Sequence, residues 1–121
     1  MNAVVHFEIP AENPESLTKF FGDVFGWSFQ QFGEEKYFLT AANREGGEGI
    51  GGAIMGRKHP QQPMVNSINV ESIDAMCPIV ESHGGQIVVQ KMSIPGVGYL
   101  AYFKDPENNI HGLWQNDSSA T

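Results

Sequence analysis

The order of strand and helix signals in this chain occurs twice, and that internal repeat restricts its fold more than any other feature. Residues 4–10 alternate as a strand: Val5, Phe7 and Ile9 fall on one face, and Val4, His6 and Glu8 on the other. A helix follows, with Asn13 as N-cap, Pro14 at the first helical position and Glu15 in the first turn. Leu17, Phe20, Phe21, Val24 and Phe25 form one apolar stripe, and Gly26 suits a left-handed stop. Strands are then expected at 27–32, 37–42 and 49–55, separated by turn-rich stretches at 33–36 and 43–48.

The second copy begins after a polar, proline-containing stretch. Residues 65–70 alternate as a strand, and Ser72 caps a helix whose stripe is Ile73, Met76, Cys77 and Val80. Pro78 removes one backbone bond from that helix and should kink it; Gly84 and Gly85 end it. Strands follow at 86–91, 98–104 and 109–115, and the small polar tail at 116–121 is expected to fray. Residues 94–98 read either as a loop over a ligand site or as a bend between strands, and the acidic run at 45–48 reads as a solvated turn.

The expected fold is one α+β domain over residues 1–121, made of two tandem βαβββ modules at 3–56 and 64–116 with a linker at 57–63. Each module has one helix with one apolar stripe, so it covers one face of its sheet and leaves the other open. Two such mixed sheets side by side would curve into a cleft with the helices outside, the kind of concavity that holds small ligands.

Composition removes several function classes. With 121 residues and 40% hydrophobic content the chain can build a core without staples, and its one cysteine, Cys77, rules out an internal disulfide. Cys77 lies on the apolar helix stripe, and neither a histidine nor a helix N-terminus is placed to activate it. A net charge of −7 argues against nucleic acid and anionic membrane as partners. No apolar run approaches the roughly 18 residues of a membrane span, and the first residues lack the pattern of a secretory signal, so a cytoplasmic location is expected. Nucleophile-elbow, phosphate-loop and zinc-protease motifs are absent from the sequence.

Particular residues carry a family resemblance. The opening Val5-His6-Phe7-Glu8-Ile9-Pro10 leads into a phenylalanine-rich helix and Phe25-Gly26-Trp27. The close has Ile94-Pro95-Gly96-Val97-Gly98, then Phe103-Lys104-Asp105-Pro106-Glu107-Asn108-Asn109, then Gly112-Leu113-Trp114-Gln115. From residue 4 to 115 the chain resembles the glyoxalase/bleomycin-resistance proteins of the vicinal-oxygen-chelate superfamily, which also includes extradiol dioxygenases. The resemblance implies four metal-ligand positions, on the first and last strand of each module, usually filled by histidine, glutamate or glutamine. They fall here on His6, Gly52, Ser67 and Gly112. Only His6 is a good ligand, whereas protein metal sites normally supply at least three side-chain donors. No metal or other cofactor is therefore expected. If an ion binds, His6 and Glu8 would hold it, because His111 alternates onto the opposite face from Gly112.

The expected ligand pocket comprises His6, Glu8, Gly52, Ser67, Asn69, Gly112 and Trp114. His6 and Glu8 are also the candidate catalytic pair, since a carboxylate near an imidazole sets its pKa and tautomer. Ser67 and Asn69 offer hydrogen bonds, the two glycines would widen the floor, and Trp114 reads as an aromatic platform or a core residue. Trp27 reads as core, and His59 and His83 receive no role. The leading expectation is a small-molecule-binding protein similar to the antibiotic-sequestering branch of the family, with an organic ligand and a homodimer implied by the resemblance. The alternative is a divalent-metal-dependent lyase, isomerase or dioxygenase of the lactoylglutathione-lyase kind, using His6 and Glu8. A third reading is an interaction domain whose cleft is filled by another chain.

Overall fold

A computed structural model describes residues 1–41 and 49–121. The expected turn at 43–48, with its acidic run at 45–48, and residue 42 of the third expected strand lie outside the described residues. The chain divides into two compact units, one formed by Val5–Met64 and the other by Met1–Val4 with Val65–Thr121.

The first unit contains β1 (Val4–Ala11), α1 (Pro14–Phe25), β2 (Phe29–Gln31), β3 (Tyr37–Thr40) and β4 (Gly51–Gly56). The strand order is β2-β3-β4-β1, with β1 and β4 parallel and the other pairs antiparallel. Helix α1 forms as the capping signals require: the Asn13 side chain accepts from the Ser16 N–H, Pro14 opens the helix, and Gly26 closes it at φ 74°. The expected strand at 27–32 shortens to Phe29–Gln31, because Trp27 packs back on the helix. Its ring stacks on Phe21 at 4.9 Å and lies 5.8 Å from Phe7 and 6.3 Å from Phe29. Phe7 therefore marks the helix side of β1, and the alternating His6 and Glu8 face away from it.

The second unit repeats this order with β5 (Val65–Asn69), α2 (Ile73–Ser82), β6 (Gln86–Ile94), β7 (Gly98–Lys104) and β8 (Ile110–Asn116). Its strands run β5-β8-β7-β6, with β5 and β8 parallel. Its core is Val70, Ile73, Ala101 and Leu113, against which Ile68, Met76, Cys77, Tyr99 and Phe103 pack. Helix α2 is capped by Ser72 and continues through Pro78.

One expectation about the second unit changes, and the open reading of 94–98 resolves to a bend between strands. The tail does not fray: Gly96 N donates to Ala120 O at 2.9 Å, Asp117 N donates to Val97 O at 3.1 Å, and Ala120 is buried. Residues 94–98 are the turn of the β6–β7 hairpin, with Ile94 paired to Gly98 and Val97 N donating to Ile94 O at 2.9 Å. The linker is similarly tied down. Arg57 N donates to Ala11 O at 2.9 Å, and the Arg57 guanidinium donates to Gln62 O and Pro10 O at 2.6 and 3.3 Å.

Candidate functional site

The face of the first unit that turns away from α1 is fixed by strand register. His6 pairs with Gly51, Glu8 with Ala53 and Pro10 with Met55 across β1 and β4. Tyr37 pairs with Met55 and Leu39 with Ala53 across β3 and β4. Paired residues share a face, so His6, Glu8, Tyr37, Leu39, Gly51, Ala53 and Met55 all lie on the same side. The floor between the polar groups is apolar and closed, with Ala53 and Met55 both buried.

On this floor three side chains form a chain of hydrogen bonds. Tyr37 Oη donates to Glu8 Oε2 at 2.6 Å and lies 2.9 Å from His6 Nε2. The His6 and Tyr37 rings are nearly parallel, 11° apart, with centroids 6.4 Å apart. Glu8 is only 6% exposed, so its carboxylate depends on such donors. Burial pulls the His6 imidazole below its ordinary pKa, and the nearby Glu8 carboxylate offsets part of that effect. Burial thus favours the neutral ring, which can accept a hydrogen bond.

Gly52 does not belong to this face. It pairs with Phe7 on β1 and Thr40 on β3, and a Cβ built on it would stand 2.5 Å from the Phe7 ring. Its missing side chain makes room for a core aromatic and adds no space for a ligand. The residue opposite His6 is Gly51, one position earlier than the sequence repeat suggests.

In the second unit Ser67 pairs with Gly112 and Asn69 with Trp114, so these four residues share one face of their sheet. The space beside Gly112 is filled: a Cβ there would collide with Ser67 Oγ and stand 3.1 Å from Ser67 Cβ. Ser67 is 2% exposed. Asn69 Oδ1 accepts from Ala3 N at 2.9 Å, which commits that oxygen to the N-terminal residues. Trp114 Nε1 donates to Asn116 Oδ1 at 2.7 Å, and its indole lies against Gly98, where an added Cβ would come within 2.9 Å of it. His111 lies on the opposite face, stacked on Phe103 at 5.2 Å and bonded to Asp105 at 2.9 Å. That histidine, together with the Asn109 and Glu107 backbone N–H groups, holds the Asp105 carboxyl far below its usual range, which locks the turn into β8. Among the described residues His59 and His83 make local hydrogen bonds.

Sequence reasoning missed Tyr37. Its alternation with Leu39 was visible, but its place beside Glu8 follows from the β3–β4 register, which no local motif encodes.

Among the described residues no three His, Cys, Asp or Glu side chains come together around a possible ion. His6 and Glu8 are joined through a phenol, Gly51 brings no side chain and Ala53 only a methyl. Two donors bridged in this way do not fit a resident ion, which normally takes three or four. Among the described residues no helix is long and apolar enough to cross a membrane.

The sequence profile described as the Glyoxalase/Bleomycin resistance protein/Dioxygenase superfamily matches residues 3–111. A glyoxylase-like domain-containing protein of Didymella fabae is 28% identical over 114 residues, covering 88% of each chain. The glyoxylase-named protein CFP32 of Mycobacterium bovis is 26% identical over 113 residues, which is 89% of this chain but 43% of that relative. This chain thus spans less than half the length of that relative. Among solved structures, methylmalonyl-CoA epimerase from Mycobacterium tuberculosis superposes with a TM-score of 0.69 at 13% identity, covering 94% of this chain and 87% of the other. A superfamily member from Vibrio splendidus 12B01 gives 0.67 at 16% identity, covering 97% and 100%. At these identities the structural likeness carries the fold.

Proposed function

The chain belongs to the Glyoxalase/Bleomycin resistance protein/Dioxygenase superfamily, and on that premise we propose that it is a metal-independent small-molecule-binding protein. The observation that supports this most is the His6–Tyr37–Glu8 hydrogen-bond chain, which engages both potential metal donors of β1 with a phenol. An apolar floor with a few convergent polar groups suits an organic ligand of modest size. Ala53, Met55 and Leu39 supply that floor beside the three polar side chains. A homodimer and a small organic ligand as partner belong to the same proposal.

Two measurements on the purified protein test it. Elemental mass spectrometry before and after incubation with Ni²⁺, Zn²⁺, Mn²⁺ or Fe²⁺ and desalting should find substoichiometric metal. A thermal-shift screen of aromatic and heterocyclic compounds should then find ligands that raise the melting temperature, an effect weakened by His6→Asn. About one retained ion per chain would reject the metal-independent reading.

The second reading is a divalent-metal-dependent lyase, isomerase or dioxygenase. It is favoured by one observation: His6 and Glu8 share a face, two residues apart on one strand. Metal-stimulated turnover of a methylglyoxal–glutathione adduct, lost in His6→Ala, would establish it over the first.

A further inference from the structure

We propose that Tyr37 is the positioning residue of the site: it fixes His6 as the Nε2–H tautomer, so that Nδ1 accepts a hydrogen bond from a neutral ligand hydroxyl of the phenol or enol class. This rests on the small-molecule reading and assigns the chemistry that the ligand must present.

A phenol has one proton to donate. Tyr37 Oη gives its proton to Glu8 Oε2 at 2.6 Å, and the same oxygen lies 2.9 Å from His6 Nε2. A carboxylate only accepts, so the direction of the chain is set at Glu8 and propagates back. The remaining contact is then satisfied when His6 Nε2–H donates to Tyr37 Oη. A neutral imidazole carries one N–H, and with that proton on Nε2 the Nδ1 lone pair is an acceptor.

The surroundings select among donors. The Glu8 carboxylate lies on the same face and disfavours an anionic ligand. Ala53, Met55 and Leu39 on that face suit an apolar ring or chain. A neutral, weakly acidic O–H on an apolar body satisfies both conditions. The step is a hydrogen bond alone: the ligand keeps its proton, and no bond is made or broken.

The test uses the full chain labelled with ¹⁵N, with long-range ¹H–¹⁵N spectra of the His6 ring at neutral pH. The expected wild-type pattern is a single Nε2–H tautomer, which becomes a mixture of tautomers in Tyr37→Phe while the amide spectrum stays dispersed. Glu8→Gln, whose side-chain oxygen still accepts from Tyr37, should largely keep the pattern. An Nδ1–H ring in the wild type, or an unchanged pattern in Tyr37→Phe, overturns the assignment.

Titration with phenol and with anisole, which has the same ring without the donor, tests the ligand half. Phenol is expected to bind about tenfold more tightly and to move the Nδ1 resonance. Equal affinity, or no response from either probe, rejects the hydroxyl-donor class. Because the tautomer is read without ligand, these two failures are distinguishable from each other. Both differ from a failure of the binding reading, in which the thermal-shift screen finds no stabilising compound of any class.

Discussion

The Tyr37 hydroxyl donates to the Glu8 carboxylate at 2.6 Å, linking two side chains 29 positions apart in sequence. Glu8 is 6% exposed, so this donor offsets part of the cost of keeping the carboxylate out of water. Removing the hydroxyl in Tyr37→Phe should lower stability by about 1.5–3 kcal/mol, the usual net worth of a hydrogen bond to a charged group. Urea unfolding monitored by circular dichroism provides the measurement. Glu8→Gln should cost less, because the amide oxygen still accepts. A Tyr37→Phe midpoint equal to that of the wild type would mean that Glu8 does not depend on this bond.

Stability should fall in mild acid through His6. Burial places its folded pKa below the ordinary 6.5, with the Glu8 carboxylate opposing part of the shift and the Tyr37 phenol beside the ring. The folded state therefore binds fewer protons than the unfolded chain. The two states do not differ at this group well above 6.5. As pH drops through that value and then through the folded pKa, the unfolded state is favoured, and the penalty is complete below it. In His6→Asn the decline in urea midpoint between neutral and mildly acidic pH should be shallower than in the wild type. Parallel profiles for the two proteins would assign the acid sensitivity to other groups.

Much of this architecture was legible because it is written locally. Asn13, Pro14 and Gly26 bound α1 through backbone chemistry that needs no partner, and the period-two alternation of β1 already separated Phe7 from His6 and Glu8. Register was not legible. The sequence repeat aligned Gly52 with Gly112, yet Gly51 is the residue that pairs with His6 as Gly112 pairs with Ser67. A one-residue slip transfers a position to the opposite face, and the close approach of the Phe7 ring to Gly52 favours the observed register. The same limit hid Tyr37. The tail at 116–121 misled for another reason: small polar residues usually fray, but here their backbone groups pair with the hairpin turn at Gly96 and Val97.

Cys77 should be a slow thiol. It packs against the core of the second unit, and burial pushes its pKa above the ordinary thiol value. The Glu81 and Asp74 carboxylates add to that rise, while Lys91 opposes it. A smaller thiolate fraction means slower attack on a disulfide reagent. At mildly alkaline pH the native protein should therefore react several-fold more slowly with a chromogenic disulfide than the same protein in urea. Equal rates in the two states would show that Cys77 is neither shielded nor electrostatically suppressed.

The offset between Gly51 and Gly52 gives the most discriminating substitution. Gly51 lies opposite His6 on the parallel neighbour strand, where side chains stand about 4.8 Å apart. Its backbone is outside the positive-φ region that favours glycine, so a side chain is conformationally allowed there. In a Tyr37→Phe background, which releases both β1 donors, Gly51→His would place a second imidazole beside His6 with Glu8 on the same face, completing the three donors that an ion needs. Retention of Ni²⁺ or Zn²⁺ after desalting should rise towards one per chain in that variant. Gly52→His should gain no metal affinity, because its Cβ would start 2.5 Å from the Phe7 ring. It should instead lower the unfolding midpoint by overpacking, which typically costs about 1–3 kcal/mol. If Gly52→His retained metal and Gly51→His did not, the register that builds the whole candidate site would be wrong by one residue.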